Sequence, residues 1–187
     1  MNSKKRCSWA KSKEMIEYHD KEWGIPIHND RKLFEMLILE SAQAGLSWST
    51  ILKRRKTYKK AFDNFNAKKI SKYNNKDFER LLNDGGIIRN RLKIKSTIQN
   101  AKFFLEIQKE FGSFDKYIWG FVNHKPIINK FKKLKYLPAN TKESDAMSKD
   151  LKKRGFGFVG TTICYAFMQA VGMVNNHIID CFRYKEV

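Results

Sequence analysis

The chain has 187 residues, 42% of them hydrophobic, which suffices for one sizeable core and suits a single unit spanning 1–187. Thirty-eight Lys and Arg against nineteen Asp and Glu give a formal charge of +19, so the expected partner is a polyanion, nucleic acid first, unless the lysines only mirror a Lys- and Asn-rich coding bias. No window approaches the roughly 20 apolar residues that span a bilayer, no apolar run follows Met1 to Arg6, and three cysteines make a poor disulfide framework, so a cytoplasmic protein without membrane contact is expected.

Helical periodicity dominates, and no series of alternating strands bounded by hairpin turns is found, so the expected class is all-α. Asp30 is the expected N-cap of a helix carrying Leu33, Phe34, Leu37, Ile38 and Ala44, with Gly45 at its left-handed C-terminal position. A second helix is predicted from about Ser49 to Phe62, and a short one from Asp77 to Asn83 that stops at Gly85-Gly86. Ile87, Ile88, Ile94, Ile98, Ala101 and Leu105 then repeat at helical spacing to about Phe111. The stretch from Asn123 to Thr141 contains Pro126 and Pro138, has no clear period and reads as an irregular loop. Ser144 is expected to cap a basic helix through Arg154, followed by a tight connector over Gly155–Gly160 and an apolar helix from Thr161 to Val171.

Three constellations carry chemistry. Cys7 and His19 near the start and His177 and Cys181 near the end form a split set. His177 and Cys181, four apart, would share one face of a helix and could point at one ion in a Cys2His2 zinc site. Buried thiols and a histidine bonded to Asp20 explain the same residues without a metal, whereas Cys164, beside Ile163 and Phe167, reads as core. The helix pair of 144–171 has a glycine-containing turn, at which backbone N–H groups could approach a phosphate, with Lys149, Lys152, Lys153 and Arg154 crowding its entry; an ordinary antiparallel pair fits as well. Glu40 lies in an otherwise apolar helix with Trp48 just beyond, and Trp9, Tyr18 and Trp23 sit near the first half of the Cys/His set. Either Glu40 occupies a solvent face, or it is a buried carboxylate among aromatics that receives a cationic ligand.

Together these residues resemble the DNA-3-methyladenine glycosylase I family, within the helix-hairpin-helix glycosylases. The resemblance runs through Cys7-Ser-Trp9, Tyr18-His-Asp-Lys-Glu-Trp-Gly24, Leu39-Glu40, Gln43-Ala-Gly-Leu-Ser-Trp48, Asp84-Gly-Gly-Ile-Ile-Arg89, Trp119-Gly-Phe-Val-Asn-His124 and Lys152-Lys-Arg-Gly-Phe-Gly-Phe-Val-Gly-Thr-Thr-Ile-Cys-Tyr165. It implies a single helix-hairpin-helix domain whose termini are joined by one structural zinc on Cys7, His19, His177 and Cys181. It implies a base pocket of Tyr18, Trp48, Trp9 and Trp23 with Glu40 as the catalytic carboxylate. Gly45 and Leu46 are then the candidate wedge, and Phe158, Val159, Gly160 and Thr161 the phosphate grip. The implied activity is monofunctional release of 3-methyladenine from double-stranded DNA by base flipping, with an abasic site left behind and the free base as product, carried out by a monomer. Asn175 stands where most of the superfamily has an Asp. Met15 and Ala42 replace a more usual Tyr and Gln, and the segment between Cys7 and His19 is one residue short. A binding-only module for alkylated DNA is the competing reading, and Glu40→Gln separates the two.

Overall fold

The computed structural model describes residues 4–187, so the first three residues of the expected 1–187 unit lie outside the described residues. The expected all-α class holds. The helices are α1 (Lys13–Lys21), α2 (Asp30–Gln43), α3 (Trp48–Ala61), α4 (Ala67–Ile70), α5 (Asn75–Leu82), α6 (Arg91–Phe111), α7 (Phe114–Trp119), α8 (Lys142–Lys153) and α9 (Thr161–Ala170). None is long and apolar enough to cross a membrane among the described residues.

Local chemistry sets the helix starts. Ser12, Asn29, Ser47, Asn66, Asn74, Asn90, Ser113 and Thr141 precede α1 to α8 in turn, and each side-chain oxygen accepts from a first-turn N–H. Two expected caps move accordingly. Asn29, not Asp30, caps α2; the Asp30 carboxylate instead accepts from the N–H groups of Phe114 and Asp115, both at 2.9 Å, and ties the start of α2 to α7. Thr141, not Ser144, caps α8, with Ser144 completing a capping box from the third helical position. Ile87 and Ile88 lie before α6 because Asn90 caps that helix, so their spacing continues the apolar pattern without continuing the helix.

Helix α2 runs through the middle of the core, with α3, α6, α7 and α9 packed around it. Every residue from Leu33 to Ala42 is buried. Burial of each large side chain here contributes about 1.5–3 kcal/mol, so packing on all sides, not propensity, holds the helix.

The segment expected to be an irregular loop contains a short strand, β1 (Ile127–Ile128), parallel to β2 (Val174–Asn175). Ile127 N–H donates to Met173 O at 2.9 Å and Asn129 N–H to Asn175 O at 3.2 Å. Between α9 and β2, Gly172 has φ +73°, and a Cβ there would stand 2.4 Å from the Ile25 carbonyl carbon. Only glycine permits that approach. With Gly24 N–H on Gln169 O and Ile27 N–H on Val171 O, the end of the chain is laced to residues 24–27.

Candidate active site and metal centre

This lacing brings the split Cys/His set together. The ligand atoms of Cys7, His19, His177 and Cys181 all lie within 4.8 Å of one another, and all four residues are buried. Cys181 Sγ stands 3.4 Å from His19 Nε2 and 3.5 Å from His177 Nδ1, and Cys7 Sγ stands 3.8 Å from His177 Nδ1. Tetrahedral ligand bonds of ~2.3 Å to sulfur and ~2.0–2.1 Å to nitrogen place such donors about 3.5 Å apart, so the residues fit a zinc ion. The far ring nitrogens are oriented as ligating histidines require: His19 Nδ1 meets Asp20 Oδ1 at 2.8 Å, and His177 Nε2 meets Trp23 O at 3.1 Å. Arg6 grips Asp20 in turn and holds its carboxyl below the usual range. The His177–Cys181 spacing works through a turn closed by Cys181 N–H on Ile178 O, not through the expected helix face.

Trp9 and Trp23 connect this centre to a cavity of about 240 Å³ lined by Trp9, Met15, Tyr18, Trp23, Glu40, Gln43, Trp48, Ala166 and Gln169. It is smaller than the ~300–1,000 Å³ common for drug-sized ligands. Its walls are aromatic: Trp9 meets Trp23 edge-on at 5.0 Å between centroids, and Tyr18 leans on Trp48 at 5.2 Å and 51°. All five residues expected around a base therefore converge. Gln43, Ala166 and Gln169 were not singled out from the sequence. Their signal was spacing: Gln43 follows Glu40 by three, and Ala166 and Gln169 share one face of α9.

Glu40 has no solvent face to occupy, since its helix is enclosed. It is 3% exposed, its Oε2 has no hydrogen-bond partner among the described residues, and burial pushes its carboxyl up to about 8. Trp48 Nε1 is likewise buried without a partner. Unmatched buried polar atoms on residues that line a cavity are costly alone and are relieved by a partner with complementary polar groups. Met15 lines the cavity, so its departure from the family pattern bears on the pocket; Ala42 does not line it. Asn175, also outside the lining, is turned toward the C-terminus, donating to Tyr184 O at 3.0 Å and Val187 O at 3.2 Å.

The remaining expected residues lie on two turns. Gly45 has φ +75°, and Leu46 beyond it is 40% exposed. In the connector from α8 to α9, Phe158 adopts φ +56°, rare for a bulky residue. Val159 is buried and the Thr161 hydroxyl bonds to Asp145, so neither side chain faces outward freely. Gly160 leads into α9 with no side-chain cap. Arg154, one of the cations expected to crowd the entry here, is held by Asp150 and Glu110. Cys164 is core, as expected.

The chain is thus a strongly basic, mostly helical domain with one buried carboxylate among the aromatic residues that line a small cavity, and its sequence places it among the DNA glycosylases. The chain belongs to the methyladenine glycosylase family, whose description covers residues 9–184. It is 48% identical over 180 residues to DNA-3-methyladenine glycosylase 1 of Escherichia coli (strain K12), covering 96% of both chains. A crystal structure of 3-methyladenine DNA glycosylase I superposes with a TM-score of 0.93 at 49% identity, covering 95% of this chain and 98% of that one. A Tyr-to-Phe variant of 3-methyladenine DNA glycosylase I, solved in complex with 3-methyladenine, superposes at 0.92 with 34% identity, covering 95% and 96%.

Proposed function

We propose that this protein excises 3-methyladenine from alkylated double-stranded DNA by hydrolysing its N-glycosidic bond, leaving an abasic site. The observation that carries the reading is Glu40, a buried carboxyl with a free acceptor atom inside a cavity of aromatic faces. The nucleotide of 3-methyladenine carries positive charge on its base. Trp48 offers a π-face to that charge, and Glu40 accepts from the exocyclic amine, in its ionised form once the cation offsets the cost of burial. A cationic purine is a good leaving group, so holding the base in an electrostatically matched pocket supplies part of the catalysis.

A base inside the duplex cannot enter this cavity, so the nucleotide is flipped. The exposed Leu46, raised on the Gly45 turn, fills the gap left in the stack. Helices α8 and α9 act as a helix-hairpin-helix: the uncapped N–H groups from Gly160 onward are the phosphate donors, backbone rather than the Thr161 or Val159 side chains. The family resemblance puts the lysine position of a lyase around Thr161 and Thr162, which supports a monofunctional enzyme. A zinc ion on Cys7, His19, His177 and Cys181 has all four positions filled by protein and holds the two ends of the chain together.

The test is release of free 3-methyladenine and 7-methylguanine from methylated duplex, comparing wild type with Glu40→Gln. Selective release of 3-methyladenine that is lost in the variant is the expected result. No release of either base by folded, zinc-loaded protein that still binds duplex would leave a binding module instead.

A further inference from the structure

Helix α2 ends without a cation of its own, although its last carbonyls carry the negative end of its dipole and its last residue, Gln43, lines the cavity. The missing cation comes from 49–51 residues further on. Lys93, in the first turn of α6, donates from Nζ to Ala42 O at 2.8 Å and to Ala44 O at 2.7 Å. The same ammonium stands 5.9 Å from the centre of the Phe158 ring. Ser41, Ala42, Lys93 and Phe158 line one small cavity, and no carboxylate among the described residues pairs with Lys93.

Three segments with separate tasks thus meet at one charge. Ala42 and Ala44 follow Glu40 and lead into Leu46, while Phe158 holds the strained turn of the connector. We propose that Lys93 is a positioning residue that clamps the end of the pocket helix and the Gly45–Leu46 turn to the α8–α9 connector, so that DNA engaged at the connector meets a wedge and a pocket already in register. The clamp rests on the proposed reading of those segments. Other routes link them less directly: α9 carries Ala166 and Gln169 into the cavity, but the connector itself reaches the wedge turn through Lys93. An ammonium suits the place because two carbonyl oxygens demand two donors and an aromatic face accepts a cation.

Three readouts on Lys93→Met and Lys93→Arg test this. The first is independent of activity: amide exchange at 44–47 in the free protein should accelerate about tenfold or more in Lys93→Met, the scale on which a lost charge-assisted hydrogen bond acts, and return near wild type in Lys93→Arg. The second is single-turnover excision from methylated duplex, expected to fall by a similar factor in Lys93→Met and to recover in Lys93→Arg. The third is affinity for free 3-methyladenine, expected to stay within about twofold because the cavity residues are untouched. Unchanged exchange at 44–47, or base affinity falling in step with excision, overturns the clamp. An inactive wild type with Lys93-dependent exchange would refute the enzymatic reading and leave the clamp standing.

Discussion

His19 Nε2 and Cys181 Sγ lie 3.4 Å apart although 162 residues separate them in sequence. A bond through a shared ion would close almost the whole chain into one loop, and such closures restrict the unfolded state more than the folded one. Removing zinc with a chelator, or substituting Cys181→Ser, should cost about 3–5 kcal/mol, which for a domain of this size is a fall in Tm of about 6–20 °C. Thermal unfolding beside a metal assay checks it. Protein that carries no zinc and melts at the same temperature with and without chelator would remove the structural ion from the account.

Trp48 contacts Tyr18 and lines the cavity, so under the proposed reading its removal should be felt by the free base as well as by DNA. Trp48→Ala should weaken 3-methyladenine binding by about 1–3 kcal/mol, roughly fivefold to 150-fold, as for other base-stacking aromatics. Calorimetric titration of wild type, Trp48→Ala and Trp48→Phe measures it, with the phenylalanine variant keeping most of the affinity. Equal binding by all three would mean that the base does not stack there.

Leu46 is 40% exposed and lies on a turn outside the core, so Leu46→Ala should cost no more than about 1 kcal/mol of stability. Excision from duplex should nonetheless drop, because the emptied stack loses its filler, while a methylated single strand, which has no stack to close, should be processed at the wild-type rate. A variant that slows equally on both substrates would place Leu46 in base recognition rather than in opening the duplex.

The all-helical class and the four Cys/His residues were legible in the chain, the five expected residues found lining the cavity only through the family resemblance, and the reasons differ. Helix ends are written locally, in the Ser, Asn and Thr caps, although neighbouring candidates such as Asn29 and Asp30 are told apart only once Asp30 finds its partners on α7. The Cys/His set was visible as residue types, but the turn that brings Cys181 under His177 depends on tertiary lacing. Glu40 shows why periodicity alone pointed outward: that inference presumes a solvent face, and α2 has none from Leu33 to Ala42. The β1–β2 pairing was illegible because two-residue strands carry no alternation to detect.

The enclosure of Glu40 has a consequence for stability. Its carboxyl titrates near 4.5 in the unfolded chain and is pushed up to about 8 in the fold by burial. Between those values the folded protein holds a proton there that the unfolded chain has released, so stability must fall as pH rises from about 4.5 to 8. Below that window the group is neutral in both states; above it the folded state bears the whole cost, a few kcal/mol at about 1.4 kcal/mol per unit. Glu40→Gln keeps the shape and removes the titration, so the variant should gain on wild type as pH rises and level off above about 8. Denaturant unfolding of both proteins across pH 4–9 measures the difference, in which the other titrating groups cancel. Parallel stability curves would show that Glu40 is ionised in the free protein, and that the cationic base meets a charge already formed rather than one that its arrival creates.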